Sequence, residues 1–288
     1  MGVQMRVFRT TLLLGALTLL LMLAGQYIGG RNGMTIGLVF AIGTNAFAYF
    51  FSDKIALWSS GAKPVAREQA PRLYGVMEQL AAKANLPLPK LYVVPEAAPN
   101  AFATGRNPRH ASVAVTEGLL QLMNDEELEG VIAHELSHVR NYDILISSIA
   151  ATIAGAVTWL AHWGPWLGLG GRRDDRDRGS GILGLLMLFL APLGAMMLQL
   201  ALSRQREYSA DETGVRMVGN PYGLIRALEK LGAYNSRIPT TAIPPTTAAL
   251  CIVKPLFGRG GLSSLFSTHP PLSDRIQNLR QLTTTPLR

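Results

Sequence analysis

The chain has 288 residues, 48% of them hydrophobic and only 16% charged, with a mean hydropathy of +0.21. An average soluble domain carries ~25% charged residues, so this composition excludes an ordinary water-soluble domain and points to a membrane protein. The formal net charge of +8 is what Lys and Arg flanking membrane spans produce, and no nucleic-acid partner is read from it.

Four uncharged runs set the organisation: 10–30, 32–52, 144–171 and 179–203. Each reaches or exceeds the ~20 residues that a helix needs to cross a bilayer. Only Arg31 separates the first two, which therefore form a hairpin. The first run has the basic start of a signal peptide, with Arg6 and Arg9, but no A-x-A site, and a second span follows at once. It reads as a retained span. Gln26 stands after Leu-Ala-Gly where a lipoprotein anchor needs Cys. The third run carries His162 and several Trp near its end, and Pro192 interrupts the fourth, so a buried or partly inserted hairpin is the alternative there.

Orientation follows from the positive-inside rule. Arg6 and Arg9 precede the first span, Lys54, Lys63 and Arg67 follow the second, and Arg31 alone lies between, which places 53–142 in the cytoplasm. The single cysteine, Cys251, fits that reducing setting. The Arg-rich loop 172–178 argues the other way, but the first helix usually dominates. A hairpin returns the chain to the side it left, so residues near 134 and near 207 share one compartment.

Between the hairpins, 66–85 has the period of an amphipathic helix, with Leu73, Val76, Met77, Leu80 and Ala81 on one stripe. Pro87 and Pro89 end it. Leu91–Val94 and Ala111–Val115 read as strands, with 100–105 leading to a turn at Gly105-Arg-Asn-Pro108, giving a small sheet with an exposed edge. Asn124 with Glu127 three residues later is a capping-box start. The helix it opens runs almost directly into the third hydrophobic run at Asp143. The stretch 236–266, rich in Pro, Thr, Gly and Ser, reads as a mobile loop.

That helix contains His134-Glu-Leu-Ser-His138. Positions i and i+4 project from one face, so both imidazoles can meet one metal ion, while Glu135 sits one residue round. A zinc ion there lowers the pKa of a water to roughly 7, and Glu135 is placed to accept its proton and pass it to a leaving amine. The competing description is a helix with two hydrogen-bonded histidines and a surface glutamate, and the five-residue pattern alone does not separate the two. A catalytic zinc needs a third protein ligand. Glu207 and Asp211, also i and i+4, offer one ligand and one carboxylate to hold the outer N–H of a ligating histidine. A solvated charged face is the alternative for such a run; placement on the same side of the membrane favours the ligand role.

His134-Glu-Leu-Ser-His138 with Asp143, then Arg206-Glu-Tyr-Ser-Ala-Asp211 after a hydrophobic hairpin, then Ser267-Thr-His-Pro-Pro-Leu-Ser-Asp-Arg-Ile276, together resemble the HtpX family of bacterial membrane zinc endopeptidases, relatives of the CAAX prenyl endopeptidases. The resemblance covers essentially the whole chain. It implies a mainly α membrane protein: four transmembrane helices plus a zincin-like α+β metalloprotease domain with a small β-sheet. The corresponding division is an N-terminal transmembrane hairpin over 1–55, a first catalytic part over 56–142, a second hydrophobic hairpin over 143–203 and a second catalytic part over 204–288. It implies one Zn2+ per subunit held by His134, His138 and Glu207, Glu135 as catalytic base, and His269 as a donor to the oxyanion; a capping or packing role is the alternative for His269. Asn100, Ala101, Phe102 and Ala103 resemble the substrate-binding edge strand, to which an extended polypeptide can add; a plain edge strand is as compatible with those residues.

The implied activity is hydrolysis of damaged or misassembled membrane proteins, at the bacterial inner membrane, multi-pass, with the catalytic part in the cytoplasm. The implied partners are polypeptide substrates, the lipid bilayer and other membrane quality-control proteases. Two rivals stand beside it. One is a scaffold with a dead site, against which the intact His134, Glu135, His138 and Glu207 set argues. The other is a narrower CAAX-type processing enzyme, which resembles a larger multi-span chamber than four spans supply.

Overall fold

The computed structural model describes residues 3–149, 204–237 and 270–282. Most of run 144–171, all of 179–203, the loop 172–178, most of the expected loop 236–266, Cys251 and His269 lie outside the described residues.

Helix α1 (Val3–Ser59) is two arms folded back on each other at Gly29 and Gly30, where the backbone leaves helical geometry. The arms meet backbone to backbone: a Cβ on Gly25 would stand 2.2 Å from the Gly33 carbonyl oxygen. Close approach through small residues is how helices associate where no water can drive them together. Asn45 Nδ2 joins the arms by donating to Thr18 Oγ1 at 2.9 Å and to the Leu14 carbonyl at 3.2 Å. Large apolar side chains, among them Leu19, Leu23, Ile36, Val39, Phe40 and Phe47, point outward. That inversion of a soluble core suits lipid. Of the four expected spans, one segment among the described residues, Gly29–Ser59, is long and apolar enough to cross a membrane.

Beyond α1, strands β1 (Lys63–Pro64), β2 (Lys90–Val94), β3 (Ala101–Gly105) and β4 (Ala111–Thr116) form one sheet in the order β1-β2-β4-β3. β2 and β4 are parallel, and the other pairs antiparallel. Both faces are covered. Leu91, Ala101, Ala103, Val113 and Val115 join the main core, while Val94, Phe102 and Ala114 pack with Ala56 and Leu57 at the end of α1. A sheet buried on both sides needs continuous small and apolar residues rather than alternation, and Ala101-Phe-Ala103 and Ala111-Ser-Val-Ala-Val115 supply them. The edge expected to be exposed is therefore lined with buried side chains.

Helix α2 (Pro71–Lys83) starts later than the expected 66–85 because Pro71 occupies its first turn, where a missing N–H costs nothing. Asn85, at φ 53°, stops it before Pro87. After the short α3 (Glu117–Leu122), α4 (Asp125–Arg140) crosses the middle of the domain. Its capping box forms as the sequence implies: Glu127 N–H donates to Asn124 Oδ1 and Asn124 N–H to Glu127 Oε2, each at 2.9 Å. Its other end passes almost directly into the next helical segment, as expected, with a two-residue break. Asn141 caps α4, Tyr142 takes φ 59°, and helix resumes only at Asp143.

Helices α5 (Arg204–Val218), α6 (Tyr222–Arg237) and α7 (Leu272–Leu282) complete the domain. α5 lies so close to α4 that a Cβ on Gly214 would stand 3.1 Å from the His134 backbone nitrogen. This contact brings the carboxylates of α5 within reach of the histidines of α4.

Candidate metal and active site

α4 carries His134, Glu135 and His138 into the interior, and α5 carries Glu207 and Asp211 to meet them. His134 is 1% exposed and Glu207 4%. His134 Nε2 lies 3.6 Å from Glu207 Oε2, and His138 Nε2 lies 3.7 Å from Glu207 Oε1. These separations exceed a hydrogen bond. They leave room for an ion between the nitrogens and the carboxylate. The three residues offer ligand atoms all within 4.8 Å of one another.

The outer nitrogen of each imidazole has a carboxylate. His134 Nδ1 is 2.8 Å from Asp211 Oδ1, and His138 Nδ1 is 3.3 Å from Asp143 Oδ2. With Nδ1 protonated and donating outward, Nε2 is left as the lone-pair donor facing Glu207. The break at Tyr142 is what turns Asp143 back toward His138, three residues after α4 ends at Arg140.

Asp211 is in turn held by Arg275 of α7, which is 1% exposed. Arg275 Nε donates to Asp211 Oδ2 at 2.8 Å and Nη2 to Oδ1 at 2.6 Å, a two-pronged charge-assisted pair. Its Nη1 stands 3.6 Å from Glu207 Oε2, so one guanidinium braces both Asp211 and Glu207. On the other side, Arg206 Nη1 stands 4.0 Å from Asp143. Four buried carboxylates (Glu135, Asp143, Glu207 and Asp211) thus face two guanidiniums and the two imidazoles. A divalent cation is the charge that this donor set fits.

The titration behaviour reflects the same neighbours. Burial and Arg275 press the His134 imidazole toward its neutral form, but the neighbouring carboxylates of Asp211 and Glu207 outweigh them and raise its pKa to about 9. Burial raises the Glu135 pKa above the usual carboxylate range, opposed by His134 and His138. Burial also acts upward on Asp211, yet Arg275 and His134 hold it below the ordinary value.

Asn100 to Ala103 border this centre at the edge of the sheet. The Ala103 N–H donates to the Glu135 carboxylate. The Ala101 N–H is taken by Asn100 Oδ1 at 2.9 Å, and the Gly105 N–H by Ser148 Oγ at 3.3 Å. The edge is thus turned toward Glu135 and partly closed by the helical segment 143–149. His134, Glu135, His138, Glu207 and Asp211 come together; His269 lies outside the described residues. Sequence reading assigned no role to Arg275, Asp143 or Arg206. A signal for Arg275 existed: it takes a place three residues after Leu272 and four before Leu279, on the apolar stripe of α7, where a charge has to be paired.

Comparison with known proteins bears on what such a centre does. The family "Peptidase family M48" matches residues 67–283. A "Protease HtpX homolog" of Desulfatibacillum aliphaticivorans is 55% identical over 275 residues, covering 94% of this chain and 88% of that one. Another of the same name, from Syntrophobacter fumaroxidans, is 52% identical over 279 residues, covering 96% of this chain and 99% of its own. Among solved structures, S. mikatae Ste24p shares the fold with a TM-score of 0.53 at 18% identity, over 92% of this chain and 62% of Ste24p. With the His134, His138 and Glu207 cluster inside the matched span, the chain belongs to peptidase family M48.

Proposed function

We propose that the chain is a membrane-bound, zinc-dependent endopeptidase, with His134 Nε2, His138 Nε2 and Glu207 as the metal ligands and Glu135 as the general base. The observation that carries this reading is the convergence of the three donors from two helices, His134 and Glu207 buried and His138 half-buried, with the buried Glu135 beside them. Zinc, when bound, supplies a Lewis acid that polarises a carbonyl and acidifies water. The protein's own groups do the rest. Asp211 and Asp143 fix the tautomer and tilt of the imidazoles. Arg275 keeps Asp211 ionised and in place. Glu135, its pKa raised by burial, takes the proton of the attacking water and gives it to the departing amine, so that one water and one amide yield a carboxylic acid and an amine. Asn100 to Ala103 receive the polypeptide as an added strand, and His269 donates to the oxyanion.

The same reading places the catalytic part in the cytoplasm, supported by the basic residues that flank the first hairpin. The chain crosses the inner membrane several times, and its substrates are damaged or misassembled membrane proteins. The decisive test is cleavage of a model membrane protein by the purified, reconstituted enzyme. Chelation abolishes cleavage and zinc restores it; Glu135→Gln abolishes it while zinc content stays at one per chain. Cleavage that persists in Glu135→Gln removes the proposed base.

A further inference from the structure

The membrane helix and the strand beside the active site belong to one hydrophobic cluster. Ala56 and Leu57 of α1 pack with Phe102 of β3 and Ala114 of β4. The joint has little slack: the Ala62 N–H closes onto the Leu57 carbonyl at 2.9 Å, and β1 begins at Lys63. A second tie comes from the turn after β3, where the Arg106 guanidinium lies 5.6 Å from the centre of the Phe50 ring. Phe50 is in the last turn of the uncharged run, and Phe47, Phe50 and Phe51 are exposed at its end. Lys54 lies over Phe51 at 5.1 Å, one residue beyond Asp53, where charge begins.

These contacts set a height. Ala56 and Leu57 follow Ser52, the last uncharged residue, by four and five positions, so they stand about 6–8 Å further along α1 at about 1.5 Å per residue. Phe102 is level with them, and its neighbour Ala103 bonds Glu135. A headgroup layer is about 5–8 Å deep on each side of the hydrocarbon. With α1 along the bilayer normal, Ala56 and Leu57 fall within that layer.

We infer that the active site is held at the height of the lipid headgroups by the packing of α1 against β3 and β4, and that its preferred substrates are extended segments directly next to a membrane span. This rests on the endopeptidase reading above. A tethered segment reaches a site best when its mean length matches the distance, and its local concentration falls roughly as the −3/2 power of tether length beyond that. For a gap of about 6–8 Å the optimum is a few residues at ~5–6 Å × √n. For a site ~30 Å above the surface it would be about 30 residues. Lengthening the tether from 5 to 40 residues therefore slows cleavage by about 20-fold if the site is at headgroup height.

The test uses the full chain, zinc-loaded, in phosphatidylethanolamine–phosphatidylglycerol vesicles with single-span substrates. Each substrate carries the same unstructured cleavable cassette at 5, 10, 20 or 40 residues from the span. The cassette is also supplied as a free peptide with enzyme in detergent. A rate that is highest at the shortest tethers and falls about 20-fold to the longest supports the inference. A flat profile, or an optimum at 20 residues or more, overturns it while the free peptide is still cut. If neither the tethered cassettes nor the free peptide are cut, the endopeptidase reading falls and takes this inference with it.

Discussion

The two ends of α4 both bury charge, and only one of them has the form of a reactive centre. At the N-terminal end Glu127 is buried, but each demand on it is met: it accepts from the Asn124 N–H and from Lys230 Nζ at 2.8 Å, and Lys230 reaches solvent. Arg72 and Arg226 complete that end by pairing with Asp125 and Glu126. At the C-terminal end the imidazoles and Glu207 approach only to 3.6 and 3.7 Å. Burial of charge is therefore not the mark of chemistry here. The mark is convergence of donors at distances that suit a shared ion and no direct bond.

The sharpest way to break this contrast is to take one donor from each end. Glu207→Gln keeps the size of the side chain and removes its charge. Metal content after dialysis falls from about one ion per chain to a trace, and cleavage falls by at least a thousandfold, the upper range for loss of a catalytic centre's key group. Metal analysis of the purified variant checks it; stoichiometric zinc in Glu207→Gln would refute the ligand set.

Arg275→Met tests the bracing of the centre rather than its ligands. The substitution leaves Asp211 buried without its partner, a change that costs about 3–5 kcal/mol of stability. Zinc affinity falls about 10–100-fold, as it does when groups behind a ligating histidine are lost. Arg275→Lys restores the charge and not the two-pronged geometry, so it recovers stability better than affinity. Thermal melts and chelator competition separate the two readouts, and equal recovery of both would show that Arg275 acts through charge alone.

The pH dependence of metal uptake follows from His134, whose metal-free pKa is raised from 6.5 to about 9. A raised pKa means that the proton stabilises the metal-free fold fully below 6.5 and that this stability is lost as pH climbs through about 9. Zinc has to displace that proton, so its apparent affinity rises by about tenfold per pH unit between those values and levels off above them. The gap in melting temperature between zinc-loaded and metal-free protein widens over the same window. A flat affinity between pH 6.5 and 9 would mean that His134 is already neutral in the metal-free protein.

What sequence alone conveys about this molecule tracks how local the information is. The capping box at Asn124 and Glu127, the stripe of α2 and the pairing of i with i+4 in both α4 and α5 are short-range patterns, and they are legible. The link between Arg275 and Asp211 spans 64 positions, and nothing near Arg275 except its place on an apolar stripe announces it. Asp143 is close to His138 in sequence, yet its role depends on the left-handed turn at Tyr142, a bulky residue whose composition gives no sign of one. The doubly covered sheet was hidden for a related reason. Runs such as Ala111-Ser-Val-Ala-Val115 show that a strand is buried, while the partner on its second face, the end of α1, lies some fifty residues upstream.

The smallest expected effect is also the one that isolates the comparison between the two ends of α4. Glu127→Gln keeps a group able to accept from the Asn124 N–H and weakens the pair with Lys230, which is half exposed and so screened by water. A buried hydrogen-bonded pair at a cap is worth about 1–2 kcal/mol, and the melting temperature falls accordingly by a few degrees. Zinc stoichiometry and turnover per folded molecule stay as they are, because the disturbance enters α4 two turns before His134 and the packing of α5 against Ala133 and His134 holds the far end. Measured together, stability lost with chemistry kept would place Glu127 among the groups that hold α4 in position. A drop in turnover at unchanged zinc content would instead mean that the two ends of the helix are coupled, and the division drawn between them would have to be given up.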